Sequence, residues 1–126
     1  MIPHDWQHSP GEPSVAFDAE KALLGAVLIG GEAALERAGD VTAFDFDGRQ
    51  HQVIFAAIAG LAEEKTPIDI ITLGAQLEKA GHLLAAGGWT YLTYLMDLVP
   101  DVSSCGAYGR IVREAALLRR RKAWAR

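Results

Sequence analysis

Cysteine is nearly absent: Cys105 is the only one, so neither an internal disulfide nor a thiolate-based zinc site can form, and the lone thiol suits a reducing compartment. Aromatic residues are scarce at 8% against 50% apolar residues overall. The core must therefore come from Ala, Leu, Ile and Val, a composition that favours packed helices. No apolar run reaches the length needed to span a bilayer, and the opening MIPHDWQHSPGEPS has neither the basic start nor the apolar centre of a signal peptide. A soluble, cytoplasmic chain without membrane contact is expected. Period-two alternation is missing, which excludes a convincing strand, and no internal repeat is found. No glycine-rich loop ends in Gly-Lys-Ser or Gly-Lys-Thr, so the sequence offers no phosphate cradle.

The 126 residues suffice for one modest core. Three prolines fall in residues 1–14, which are expected to form a flexible lead to a folded domain at 15–126. Charge is unevenly placed. From Arg110 onward seven Lys/Arg face one acid, leaving five basic and fifteen acidic residues in 1–109. An acidic body with a basic tail argues against nucleic acid as the main ligand, because phosphate neutralisation by Lys and Arg supplies most non-specific affinity.

The apolar spacing predicts an all-α bundle of five or six helices. Leu23, Leu24, Val27 and Leu28 mark a first helix within Phe17–Ile29, with Asp18 and Glu20 read as first-turn acids favoured by the helix dipole and Gly30-Gly31 as its end. A short helix is expected over Glu32–Arg37, stopping at Gly39. Asp47 followed by Gln50 has the capping-box pattern and predicts a helix over residues 48–64. Its stripe is His51, Ile54, Phe55, Ile58, Leu61 and Ala62. Asp69 is expected to cap a helix closing at Gly81, and Gly87-Gly88 to open another that Pro100 ends. Ser103 or Ser104 would cap the last helix, whose stripe is Tyr108, Ile111, Val112, Ala115 and Leu118, followed by the run Arg119, Arg120, Arg121 and Lys122.

Few residues suggest chemistry. Asp47 and His51 share an i,i+4 spacing that could serve one metal or an acid/base pair. An N-cap role for Asp47 and a hydrogen-bonded core histidine explain them better, so no catalytic, cofactor or metal site is expected. Asp69 reads as a cap, and Asp40 and Asp45 as solvated loop residues. The glycine pairs lack a following lysine and read as helix punctuation.

Taken in order, several stretches resemble the N-terminal domain of the DnaB family of replicative DNA helicases. They are Ala19-Glu20 with Leu24-Gly25; Phe46 followed by His51, Ile54 and Phe55; Pro67-Ile68-Asp69 with Thr72 and Leu77; Gly87-Gly88 with Tyr91-Leu92 and Leu95; and Pro100, Tyr108, Ile111-Val112-Arg113-Glu114 and Leu118-Arg119. The likeness runs from about residue 13 to residue 121, and it is the order and spacing that carry it.

The resemblance implies an assembly domain acting in DNA replication. It would pack as dimers in the collar of a hexamer and dock the C-terminal domain of primase or a helicase loader, with DNA contacted weakly or not directly. ATP and magnesium would belong to a RecA-like motor domain outside this chain, so the chain alone would not be an enzyme. The last helix would be the first arm of a projecting helical hairpin, and its stripe would fold back on the body or pair with a second copy. The interaction residues so implied are Tyr108, Ile111, Val112, Ala115, Leu118, Arg119, Arg120, Arg121 and Lys122. The alternative is a small helical DNA-binding regulator using that basic helix on phosphates.

Overall fold

The first helix is apolar around almost its whole circumference, and it is the centre of the molecule. The computed structural model describes residues 14–124; the lead expected over 1–14 lies, except for Ser14, outside them. Six α-helices follow in order: α1 (Ser14–Gly30), α2 (Glu32–Arg37), α3 (Arg49–Glu63), α4 (Ile70–Ala80), α5 (Gly88–Leu98) and α6 (Cys105–Trp124). Two 3-10 turns, Ala43–Asp45 and Val102–Ser104, precede α3 and α6. No strand occurs among the described residues, so the all-α expectation holds.

In α1, Leu23, Leu24, Ala26 and Val27 are fully buried, as befits a helix surrounded by others. Helices α5 and α6 pack along it, with α2 and α3 covering the rest. The crossing with α5 is so close that a Cβ on Gly25 would lie 2.1 Å from the Leu95 carbonyl oxygen. On α6, Gly109 meets the Ala38 carbonyl in the same way, at 2.4 Å. Each fully buried leucine contributes about 2 kcal/mol relative to leaving it in water.

Of the stripe predicted for α3, His51, Ile54, Phe55, Ile58 and Leu61 are buried and Ala62 is half-buried against the core. Helix α4 begins and ends as expected. The Asp69 carboxylate accepts the Thr72 N–H at 2.8 Å, and Gly81 closes the helix at φ 77, a left-handed conformation that glycine adopts freely.

Three local expectations are corrected. Asp47 does not cap α3; Gly48 stands at the N-cap with no side-chain cap, and Gln50 reaches out to the Ala86 carbonyl at 2.9 Å. Neither Asp18 nor Glu20 is a first-turn acid, because α1 starts at Ser14; Asp18 is exposed further along it and Glu20 is 1% exposed inside the core. Ser103 and Ser104 lie in a 3-10 turn capped by Asp101, whose carboxylate accepts the Ser103 N–H at 2.9 Å and its hydroxyl at 2.7 Å. Those bonds hold the Asp101 carboxyl below its usual range.

Candidate functional site

The last helix divides its side chains between core and surface. Val112, Ala115 and Ala116 are buried, while Tyr108 and Ile111 are half-buried against the core. The stripe has thus folded back on the body, the first of the two outcomes expected for it. Of its five residues only Leu118 is exposed, at 53%, with Leu117 beside it at 43%. Val112 and Ala115 face inward and offer nothing to a partner.

The basic run is divided as well. Arg119 donates to the Asp45 carbonyl at 2.8 Å and lies 3.5 Å from the Asp47 carboxylate. Arg120 donates to the Asp45 carboxylate at 3.0 Å. Asp45, expected to be solvated, is buried: its carboxylate also accepts the Thr42 N–H at 2.8 Å. Arg121, Lys122 and Ala123 are exposed, so the helix runs on past the clamp with two of its four run cations engaged. Further back, Arg113 sits 3.6 Å from the exposed Asp40, a surface pair of small energetic weight.

Behind this clamp is a buried polar centre. His51, on α3, places Nδ1 2.7 Å from the Glu20 carboxylate of α1 and Nε2 2.6 Å from the Tyr91 hydroxyl of α5. The Glu20 carboxylate also accepts the Asp47 N–H at 2.8 Å and the Gly48 N–H at 3.3 Å. Phe17 and Tyr91 stack near the imidazole, at 4.8 and 5.9 Å between ring centroids. A carboxylate offers only acceptors, so Nδ1 carries a proton toward Glu20, while Nε2 shares a hydrogen bond with the Tyr91 hydroxyl.

Burial pushes the Tyr91 phenol from its ordinary value of 10.0 up to about 12, with nearby Tyr94 and Glu20 adding to the rise. Because the folded value is the higher one, this contribution to stability is complete below pH 10 and disappears as the pH climbs to about 12. Denaturant titrations across that interval should show the midpoint falling, and Tyr91→Phe should remove part of the fall. An identical pH profile for the variant would refute the assignment.

His51 is the hydrogen-bonded core histidine that the sequence led us to expect; its partner Glu20 was missed, though a signal existed. Glu20 lies on the helical face shared by Ala16, Leu23, Leu24 and Val27, and a carboxylate on an apolar face needs a polar partner. His51, the one polar member of the α3 stripe, is that partner. The Asp47/His51 metal pair is not assembled: both His51 nitrogens are engaged, and Asp47 turns to Arg119. No group of three or more potential metal-ligating residues occurs among the described residues.

Gly87 and Gly88 have φ 103 and 73, and a Cβ on Gly87 would meet the Gln50 side chain at 2.2 Å. They form a tight turn packed on α3. No helix among the described residues is long and apolar enough to cross a membrane.

Fold and surface together define an all-helical module built round one central helix and presenting a long, basic-ended last helix. Comparison with known proteins makes this specific. Residues 12–114 match the family described as the DnaB-like helicase N terminal domain, and the chain belongs to it. The replicative DNA helicase DnaB of Leifsonia xyli subsp. xyli is 39% identical over 102 residues, which is 81% of this chain and 22% of that protein. That of Geobacillus stearothermophilus is 36% identical over 108 residues, 86% of this chain and 24% of that protein. The chain thus spans less than a quarter of the length of these curated relatives.

Among solved structures, the N-terminal domain of DnaB helicase from Mycobacterium tuberculosis superposes with a TM-score of 0.79 at 35% identity, over 82% of this chain and 74% of that one. A DnaB-like replicative helicase, described with its interactions with primase, gives 0.77 at 25% identity over 86% of this chain and 26% of that one. The resemblance read from the sequence therefore holds. The DNA-binding regulator reading loses ground to it, and Arg119 and Arg120 are already engaged by acids of the same chain.

Proposed function

We propose that this domain is the assembly and protein-interaction module of a replicative DNA helicase, supporting dimers within a hexameric collar and docking the C-terminal domain of primase or a loader in the cytoplasm. The observation that carries the reading is the match of nearly the whole described chain to the N-terminal part of DnaB helicases. One of the matched helicases is described together with its primase interactions. Unwinding, with its ATP and magnesium, belongs on this reading to the remainder of the helicase. Leu117, Leu118, Arg121 and Lys122 are among the exposed side chains of the last helix and would meet a partner, with Tyr108, Ile111, Arg119 and Arg120 at the edge of that surface.

Light scattering of the chain, alone and with the primase C-terminal domain of the same organism, tests this over a range of concentrations. A mass approaching two copies, rising when primase is added, is the expected result. A monomer that ignores primase at every concentration would refute it. Within the same assay, Leu118→Asp should weaken self-association while leaving the helical circular dichroism unchanged, since Leu118 stands outside the core. Association equal to that of the unaltered chain would remove Leu118 from the interface.

A further inference from the structure

We propose that Glu20 is a positioning residue for Arg119: from inside the core it orients the peptide groups of Asp47 and Gly48, and the oriented Asp47 holds the Arg119 guanidinium on the surface. The connection runs outward in short steps. Tyr91 and His51 fix the Glu20 carboxylate from one side. On the other, that carboxylate accepts the N–H groups of Asp47 and Gly48. The Asp47 carboxylate in turn lies 3.5 Å from Arg119 Nε. Helices α1, α3 and α5 are thus tied to the basic end of α6 by contacts between groups far apart in the chain, from Glu20 with Asp47 to Asp47 with Arg119.

Other contacts hold the turn but do not set this orientation. Phe46 is fully buried and fixes the depth of the turn. Gln52 donates to the Phe46 carbonyl at 2.8 Å, and Thr42 donates to Asp45. None of these touches the Asp47 or Gly48 N–H. A buried carboxylate that lost these donors would carry a large desolvation penalty, so it constrains where they point. Arg119 also donates through its terminal nitrogen to the Asp45 carbonyl at 2.8 Å, and Arg120 donates to the Asp45 carboxylate, which Thr42 holds; neither contact runs through Glu20 or the Asp47 side chain, so Arg120 serves as the internal reference for the Nε contact. All of these contacts lie within one chain, whatever partner the helix meets.

The test is nuclear magnetic resonance of the whole chain, following the side-chain Nε–H groups of Arg119 and Arg120 and the amides of Leu73 and Leu77 on α4. Glu20→Gln should raise solvent exchange at Arg119 Nε–H about threefold beyond any change common to the α4 amides, the size of a partly exposed ion pair. Exchange at Arg120 should change only as the α4 amides do. Asp47→Asn should have the same effect on Arg119, and adding Glu20→Gln to it should change Arg119 no further. An Arg119 signal that moves only in step with Arg120 and α4, or effects that add, would overturn the proposal. A second measurement needs no variant. The Asp47 and Gly48 amides should exchange as slowly as the buried amides of α3, and open-loop rates there would also overturn it.

Discussion

Alanine at Gly25 will destabilise the domain by more than about 3 kcal/mol, although the same exchange inside an ordinary helix stabilises by roughly 1 kcal/mol. The sign reverses because the added carbon would lie 2.1 Å from a backbone oxygen of α5 and 2.3 Å from the Val99 side chain. A flexible side chain could move aside, but the Leu95 carbonyl is part of a helix and can yield only if α5 separates from α1. Gly60 is the matched control. It lies in α3, and its Cβ would meet only the tip of the Gln76 side chain at 3.2 Å. Gly60→Ala should therefore stabilise slightly. Urea unfolding of both variants gives the comparison, and equal midpoints for the two would refute the close packing of α1 on α5.

The second large effect belongs to His51. Replacing it with leucine keeps a side chain of similar bulk but leaves both Glu20 and Tyr91 without their shared ring partner. Breaking a buried charged contact from one side costs about 3–5 kcal/mol. With domain stabilities of about 5–15 kcal/mol, His51→Leu should lower the melting temperature by roughly 10 °C or more. The informative companion is Glu20→Leu combined with His51→Leu. Removing both polar partners leaves less unsatisfied, so the double variant should recover much of the loss. The Asp47 and Gly48 N–H groups, left without Glu20, keep that recovery incomplete. A double variant less stable than either single one would show that the centre acts through packing alone.

Both ends of α4 and the end of α5 were legible because their determinants are local. Asp69 finds Thr72 three residues on, Gly81 needs only its own backbone, and Pro100 acts on the residue before it. The α3 stripe was legible for the same reason, since spacing along one helix decides which side chains share a face. Asp47 shows where this fails. Its carboxylate and Gln50 had a local use as a capping box, but Arg119 and Ala86, both distant in sequence, claimed them instead. Asp45 looked like a solvated loop residue and is buried, because Arg120, 75 residues away, folds over it.

The candidate surface was half legible. Periodicity located the stripe on α6 but could not say which of its members the domain's own core would take. Val112 and Ala115 went inward while Leu118 stayed out, a division set by how far α1 and the turn before α3 extend along α6. The basic run posed the same problem, for four consecutive cations look equivalent until acids from elsewhere in the chain select two of them.

The central position of α1 also governs the order in which the domain can fold. This helix is the first of the described elements to be synthesised, yet the helices most extensively packed on it are the last two. Until α5 and α6 have been made, Leu23, Leu24 and Val27 lack most of their final cover, and the core remains open to water. Pairing elements so distant in the chain carries a loop-closure cost that neighbouring helices avoid. Short-range helix formation can begin early, but the domain closes as a single unit only when its C-terminal helix arrives.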